Sequence, residues 1–213
     1  MRTYRRITLV FLFLVALVYL FISFALPDES FWITDAGNKF IVMRNMELFG
    51  NDNIVYPAFE IDPEKNYLPD STYHLNKTPD GVFSIFPSYF PAISLPFYML
   101  FGYGGLYLLP FISALLIFFY MDRIARHAGL PNWQGGIILV AAFCSPLLFY
   151  SFTFWEMTPA IALSTISVYY LVSKHAKGKM PVYYFIAGVF LGLSTVLREE
   201  GYFLLAAFVL AML

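Results

Sequence analysis

The sequence predicts an all-α membrane protein, a polytopic bundle of about six transmembrane helices with a long outer loop. Sixty per cent of its 213 residues are hydrophobic, only 13% are charged, and the mean hydropathy is +0.68. This composition is too apolar for a soluble domain of this length. The apolar residues gather in stretches without Asp, Glu, Lys or Arg, which are long enough to cross a bilayer. The predicted spans are 7–26, 104–121, 135–154, 157–173 and 180–197, and a sixth begins at 201 and is cut off at 213.

The charges between these spans sort by sign. Eight of the thirteen Lys and Arg residues fall in alternate gaps, namely Arg2, Arg5, Arg6, Arg123, Arg126, Lys174, Lys177 and Lys179. Membrane proteins keep such residues on the cytoplasmic side, so the N-terminus is expected there. Thirteen of the fourteen acidic residues then lie on the outer side, with Asp122 as the exception. The pattern predicts a single membrane domain in a plasma or inner membrane, embedded among membrane lipids, with a periplasmic or extracellular active face and no nucleic-acid partner.

The first apolar run resembles a signal peptide, because Arg2, Arg5 and Arg6 precede it. The run 7–26 is about twenty residues long, however, against ~7–15 for a cleaved h-region. No small-residue cleavage site precedes Pro27. At ~1.5 Å per residue the run reaches about 30 Å, so it is interpreted as an uncleaved first span.

The stretch 82–102 is also apolar, but we expect it to lie within the outer loop, 27–103. Pro87, Pro91 and Pro96 disfavour a continuous helix there. A full crossing would also invert every later segment and place five basic residues outside. A surface or re-entrant segment is therefore predicted.

The rest of the outer loop carries local structure. Thr34 is predicted to cap a surface helix over 35–49 that ends at Gly50, with Asp35 in its first turn. The sequence Thr-Pro-Asp-Gly at 78–81 is typical of a turn between two extended runs, 71–76 and 82–86.

Three short motifs resemble membrane glycosyltransferases of the GT-C fold, of the family-39-like and protein-mannosyltransferase-like type. The stretch from Asp80 to Tyr98, DGVFSIFPSYFPAISLPFY, looks like the proline-containing end of their first outer loop. Phe154-Trp155-Glu156 resembles the acidic position of their second outer loop, and Leu197-Arg198-Glu199-Glu200 their Arg-x-Glu element. The resemblance implies transfer of a sugar from a polyprenyl-phosphate donor to a lipid, glycan or protein acceptor on the outer face.

Such a reaction needs a carboxylate to accept the proton of the acceptor hydroxyl and a cation to meet the departing phosphate. We assign Asp35 and Glu156 as catalytic residues, and Arg198, Glu200 and Tyr89 as substrate-binding residues. A divalent cation, Mg or Mn, is an alternative source of positive charge, and Asp35 and Glu156 would hold it.

Each assigned residue also has a structural interpretation. Asp35 is favoured at a helix start and can pair with Lys39, Glu156 can be a solvated loop residue, and Arg198 can anchor a helix end by reaching towards headgroups. Tyr89 can belong to an interfacial aromatic belt, and Glu199 is interpreted as a solvated turn residue. Two other functions remain open: a lipid-linked sugar flippase or transporter, and a non-catalytic or truncated GT-C-like subunit. The sixth span stops within a helix, which favours the second of these; the uncharged spans disfavour the first.

Overall fold

The computed structural model describes residues 2–26, 31–50, 52, 75–79, 81–130, 134–172 and 180–212. Over these residues the protein is mostly helical and belongs to the all-α class, with one two-stranded hairpin. The helices are α1 (Arg2–Ala25), α2 (Thr34–Phe49), α3 (Tyr89–Phe101), α4 (Tyr103–Leu106), α5 (Leu108–His127), α6 (Gln134–Phe143), α7 (Leu147–Tyr150), α8 (Met157–Val172), α9 (Met180–Leu197) and α10 (Gly201–Met212). The strands are β1 (Leu75–Thr78) and β2 (Gly81–Ser84).

Among the described residues, two helical stretches are long and apolar enough to cross a membrane by length and composition, Arg6–Ala25 and Tyr103–His127. Four shorter helices are also apolar: Tyr89–Phe101, Met157–Val172, Pro181–Leu197 and Gly201–Leu210. The first long stretch agrees with the predicted span at 7–26. The second begins near the predicted residue 104 and continues past the predicted end at 121.

The chain divides into two compact units. The bundle unit comprises Met1–Pro27, Tyr107–Phe152 and Glu156–Leu213, and the loop unit comprises Asp28–Leu106 and Thr153–Trp155. The core of the bundle unit is built from side chains of α1, α5, α6 and α8, with Val15, Tyr19, Phe118 and Ile138 almost completely buried.

The predicted helix over 135–154 is not continuous, because it stops after α6 and resumes only as the single turn α7. Pro146 has no N–H to donate to the carbonyl of Ala142, and its ring disfavours a continuous helix. The buried hydroxyl of Tyr19 donates to that Ala142 carbonyl over 2.7 Å. The Ser145 hydroxyl donates to the neighbouring Ala141 carbonyl over 2.6 Å. Side chains therefore satisfy carbonyls at the break.

Helix α5 extends beyond the predicted residue 121 to His127. Asp122 and Arg126 form an ion pair one turn apart, which favours the continuation of the helix. Asp122 is fully buried and its Oδ2 also accepts a hydrogen bond from Thr8 Oγ1 at 2.9 Å. The acidic residue that departs from the charge pattern thus ties α1 to α5.

Serine side chains join α8 to α9. The Ser194 hydroxyl lies 2.8 Å from that of Ser164 and donates to the Ala160 carbonyl over 3.0 Å. The Ser167 hydroxyl donates to the Ala187 carbonyl over 2.8 Å. These bonds fix the register of two antiparallel helices, so that the start of α8 lies beside the end of α9.

In the loop unit, the predicted helix and hairpin are both present, with different details. Helix α2 begins at Thr34 with Ile33 as its N-cap, so the prediction that Thr34 caps the helix is wrong; Gly50 ends it in the left-handed conformation at φ 70°, as predicted. The strands pair from Leu75 with Ser84 to Thr78 with Gly81. Residues 71–74 of the predicted extended run 71–76 lie outside the described residues.

Helix α2 buries polar as well as apolar residues. Met43 is fully buried, but Phe49 is half exposed, and the polar residues Asn38, Lys39 and Asn45 are buried beside it. This face therefore packs within the loop unit and is not a purely apolar, membrane-facing side.

The stretch 82–102 is not one continuous helix, because β2 covers its start and Pro87 precedes α3. Within α3 the helix continues past Pro91 and Pro96, so the expectation that these two prolines would interrupt it is wrong. Pro91 lies in the first turn, where a missing N–H leaves no bond unmade. Thirteen residues reach about 20 Å at ~1.5 Å each, which is shorter than a bilayer core of ~30 Å. At Gly105 any Cβ would overlap the Phe97 backbone, so glycine permits the close approach of α4 to α3.

Candidate functional site

Residues 198–200 form a tight turn between α9 and α10 in the bundle unit. The Arg198 N–H donates to the Ser194 carbonyl over 2.9 Å and completes α9, while the Gly201 N–H donates to the Arg198 carbonyl over 3.1 Å. A Cβ at Gly201 would lie 2.8 Å from Thr195 Cγ2, so this turn has room only for glycine. The turn holds Arg198 and Glu200 next to each other at the ends of two apolar helices.

Glu156 lies at the start of α8 in the same unit. Its carbonyl accepts the N–H of Ala160 over 2.9 Å, the first bond of the helix, and the residue is only 4% exposed. The positive end of the α8 dipole favours a carboxylate at this position. Because Ser194 bonds to Ala160, the ends of α8 and α9 that carry Glu156 and Arg198 are held together one turn away.

The guanidinium of Arg198 bridges two carboxylates. Its Nε donates to Glu200 Oε2 over 3.0 Å and one terminal nitrogen bonds Glu200 Oε1, so the pair is bidentate. The other terminal nitrogen donates to Glu156 Oε1 over 3.2 Å. The structure therefore brings together three of the five predicted site residues in one cluster, called here the arginine cluster: Glu156, Arg198 and Glu200.

The arginine cluster carries a net negative charge, since two carboxylates face one guanidinium. Burial alone would lower the pKa of Arg198, but the hydrogen bonds to Glu200 and Glu156 outweigh it and raise the pKa. The hydrogen bond from Arg198 lowers the pKa of Glu200 in turn. Arg198 and Glu200 thus both carry their charges at neutral pH, at the ends of otherwise apolar helices.

Asp35 belongs to the loop unit, in the first turn of α2, where it is half-buried. Lys39 lies one turn further along the same helix and is 1% exposed. Its Nζ lies 4.2 Å from the centre of the Phe86 ring and 6.0 Å from that of Trp155. Cation–π contacts of a desolvated lysine are worth about 2 kcal/mol. Trp155, from the short segment before Glu156, thus packs in the same unit as the helix that carries Asp35.

Tyr89 begins α3 in the loop unit and is 58% exposed. Its side chain is available at the surface, in keeping with either substrate contact or an interfacial aromatic belt. The same unit has a cavity of about 460 Å³ at the start of α2, with Trp32, Thr34 and Asn38 among its lining residues. Sequence reasoning did not identify this cavity, because it is lined by one face of α2 together with the three residues that precede the helix, a pattern without a sequence signal.

Sequence reasoning also missed buried polar groups that accompany the predicted site. Thr158 is fully buried in the first turn of α8, and its hydroxyl makes no hydrogen bond within the described part of the chain. Ser94 is in the same situation on α3. A Thr or Ser inside an apolar run gives no sequence signal that separates a packed hydroxyl from a functional one.

The residues that the structure describes contain no group of three or more His, Cys, Asp or Glu side chains suited to a metal ion. Glu156, one of the two residues proposed to hold Mg or Mn, has its Oε1 on the Arg198 guanidinium. A cation at this carboxylate would have to displace or repel the guanidinium. The donor set in the bundle unit therefore fits anion handling by Arg198 better than metal binding.

No protein-family model, curated protein or solved structure matches the chain. The function must therefore be argued from the residues of the arginine cluster and the loop unit, together with the three short motifs.

Proposed function

We propose that the protein is a membrane glycosyltransferase that transfers a sugar from a polyprenyl-phosphate-linked donor to an acceptor hydroxyl on the outer face of the membrane. The observation that carries this proposal is the arginine cluster. A guanidinium is held between two carboxylates at the ends of apolar helices, where the phosphate of a membrane-anchored donor would lie. A fixed guanidinium is the side chain best suited to bind phosphate oxygens.

Placement in a membrane is supported by the exposed apolar surface of the helices. Large side chains such as Phe21 and Phe24 on α1, and Phe203 and Leu210 on α10, are more than 70% exposed. Exposed apolar surface of this extent is typical of contact with lipid or a partner. We propose that α1, α5, the α6–α7 segment, α8, α9 and α10 form a polytopic bundle with the N-terminus inside, in which the shorter helices are extended by their flanking turns.

The assigned residues then have distinct roles. Arg198 meets the charge that develops on the departing phosphate. Glu156 holds Arg198 in place and accepts hydrogen bonds from sugar or acceptor hydroxyls, and Asp35 acts as the general base for the acceptor. Tyr89 contacts the donor, and Glu200 borders the position of the donor phosphate through its pairing with Arg198. The acceptor is a lipid, a glycan or a protein with a free hydroxyl.

A second candidate is a non-catalytic membrane subunit. The observation that favours it is the double pairing of Arg198, since a guanidinium held by two carboxylates can also serve only to fasten the ends of α8, α9 and α10 together. In that case substitutions in the cluster should change stability, without any change in sugar transfer.

Transfer of a radiolabelled sugar from polyprenyl-phosphate hexoses and pentoses, by membranes that contain the full-length protein, tests the proposal. Asp35→Asn keeps the size of the side chain but removes the base, so transfer should fall by about 10²–10⁴-fold. Glu156→Gln should also lower transfer, and Glu199→Gln is the matched control, because Glu199 is exposed and adjacent to the cluster. Failure of the unmodified protein to transfer sugar from any donor of the panel would contradict the proposal.

A further inference from the structure

The two carboxylates on Arg198 differ sharply in accessibility. The Glu156 side chain is 5% exposed, whereas the Glu200 side chain is 55% exposed. The backbones do not differ in this way, since the Glu156 carbonyl accepts the N–H of Ala160 and the Glu200 carbonyl accepts that of Phe203. The exposed Glu200 carboxylate can therefore leave Arg198 for solvent, whereas the Glu156 carboxylate would stay buried without its partner.

The exposed carboxylate of Glu200 occupies the edge of the guanidinium that offers two parallel N–H donors. Glu200 uses both Nε and a terminal nitrogen, while Glu156 uses one nitrogen on the opposite side. Two parallel N–H donors are the arrangement that binds a phosphate in bidentate fashion. The phosphodiester of a polyprenyl-phosphate sugar carries one negative charge, so its exchange for Glu200 would leave the net charge of the cluster unchanged, while the monoester of a polyprenyl phosphate carries up to one negative charge more.

The geometry points to Glu200 as an exchangeable occupant of an anion site on Arg198, whose ligand is the phosphate group of a polyprenyl phosphate. The phosphate displaces the Glu200 carboxylate from Nε and its neighbouring nitrogen, while Glu156 keeps the guanidinium in orientation. This inference rests on the proposed function for the identity of the ligand. In the absence of ligand, the Glu200 carboxylate occupies the anion site on Arg198 and so excludes anions that bind only weakly.

The experiment measures binding of undecaprenyl phosphate to the full-length protein in nanodiscs of phosphatidylcholine, by native mass spectrometry over a lipid titration. Glu200→Gln removes the competing carboxylate and should tighten binding about twofold to fivefold, the value of one exposed ion pair. Glu199→Gln removes an equal charge one position away and should change binding by less than about twofold, since its charge is exposed and screened. Arg198→Gln should lower the binding of undecaprenyl phosphate to that of undecaprenol, both with and without Glu200→Gln, because the phosphate site is lost.

Two further probes distinguish the contribution of the phosphate group to binding from that of the lipid tail. Undecaprenol has the same tail without the charge, and its binding should not respond to Glu200→Gln. Inorganic phosphate should compete more weakly than the lipid phosphate, because it lacks the tail that keeps the donor in the bilayer. Equal competition would assign the site to free phosphate and contradict the lipid assignment.

Equal binding by the Glu200→Gln and Glu199→Gln proteins, or weaker binding by Glu200→Gln, would overturn the inference. Glu200→Asp gives a second check, because a shorter carboxylate should reach Arg198 less well and give intermediate affinity. The proposed function fails separately: tighter binding by Glu200→Gln without sugar transfer by the unmodified protein would leave a lipid-phosphate site that is not catalytic. If the unmodified protein transfers sugar but Glu200→Gln and Glu199→Gln bind undecaprenyl phosphate equally, the proposed enzymatic function stands and the proposed exchange of Glu200 for phosphate is wrong.

Discussion

The hydrogen bond between Tyr19 and Ala142 provides a quantitative test of how the bundle unit accommodates its broken helix. Tyr19 is completely buried and its hydroxyl donates over 2.7 Å to a carbonyl that Pro146 cannot pair. Tyr19→Phe keeps the aromatic packing and leaves that buried acceptor without a donor. An orphaned buried acceptor costs about 1–3 kcal/mol, and hydrogen bonds between membrane helices measure about 0.6 and at most ~1.7 kcal/mol. We therefore expect a loss of about 1–1.5 kcal/mol in the free energy of unfolding.

A double-mutant cycle with Pro146→Ala tests the cause of that loss. Alanine at 146 supplies an N–H that can donate to the Ala142 carbonyl, as in a continuous helix. In this background Tyr19→Phe should cost less than about 0.5 kcal/mol. The four proteins are compared by reversible unfolding in mixed detergent micelles, followed by circular dichroism, with Tyr202→Phe as an exposed control. An equal cost of Tyr19→Phe in both backgrounds would refute the reasoning.

Two other predictions concern sidedness and the hydrogen bond between α1 and α5. In a protein whose exposed Cys144 is replaced by alanine, a single cysteine at position 70 should react with an impermeant thiol reagent from outside, and one at 126 only from inside. This result is expected because the proposed topology places the basic gaps in the cytoplasm; external labelling at 126 would invert that topology. Thr8→Val removes the donor to the buried carboxylate of Asp122 and should lower the free energy of unfolding by about 1–2 kcal/mol, and an unchanged unfolding midpoint would show that this bond does not secure α1.

The sequence was sufficient to place helices wherever apolar composition alone decides them. The predicted span 180–197 agrees with α9, and 157–173 agrees with α8 to within one residue. It failed at 135–154, where hydropathy is continuous but one proline interrupts the backbone ladder. Pro96 had the opposite outcome, since α3 continues through it. Tertiary partners such as Tyr19 decide which proline ends a helix, and hydropathy does not contain that information.

Three of the five predicted site residues lie together in the arginine cluster, but their pairing was not predictable from the sequence. Order along the chain and charge sidedness put Glu156, Arg198 and Glu200 on one face, and the structure brings these three together. Sequence alone did not show that Arg198 would hold both carboxylates, because that depends on the register that Ser194 sets between α8 and α9. The burial of Lys39 against aromatic rings was also unexpected, since a lysine on a surface helix is ordinarily solvated.

The kinetics of Arg198→Lys test most directly the claim that the arginine cluster handles the phosphate of a sugar donor. Lysine keeps the charge but cannot form the bidentate pair, so initial rates over a titration of polyprenyl-phosphate sugar should give a KM for the donor raised about tenfold or more. Stability should fall by at most about 1 kcal/mol, since the variant still pairs with Glu156. A donor KM equal to that of the unmodified protein, or a loss of transfer that follows unfolding alone, would contradict the account and leave the cluster as a structural fastening between helix ends.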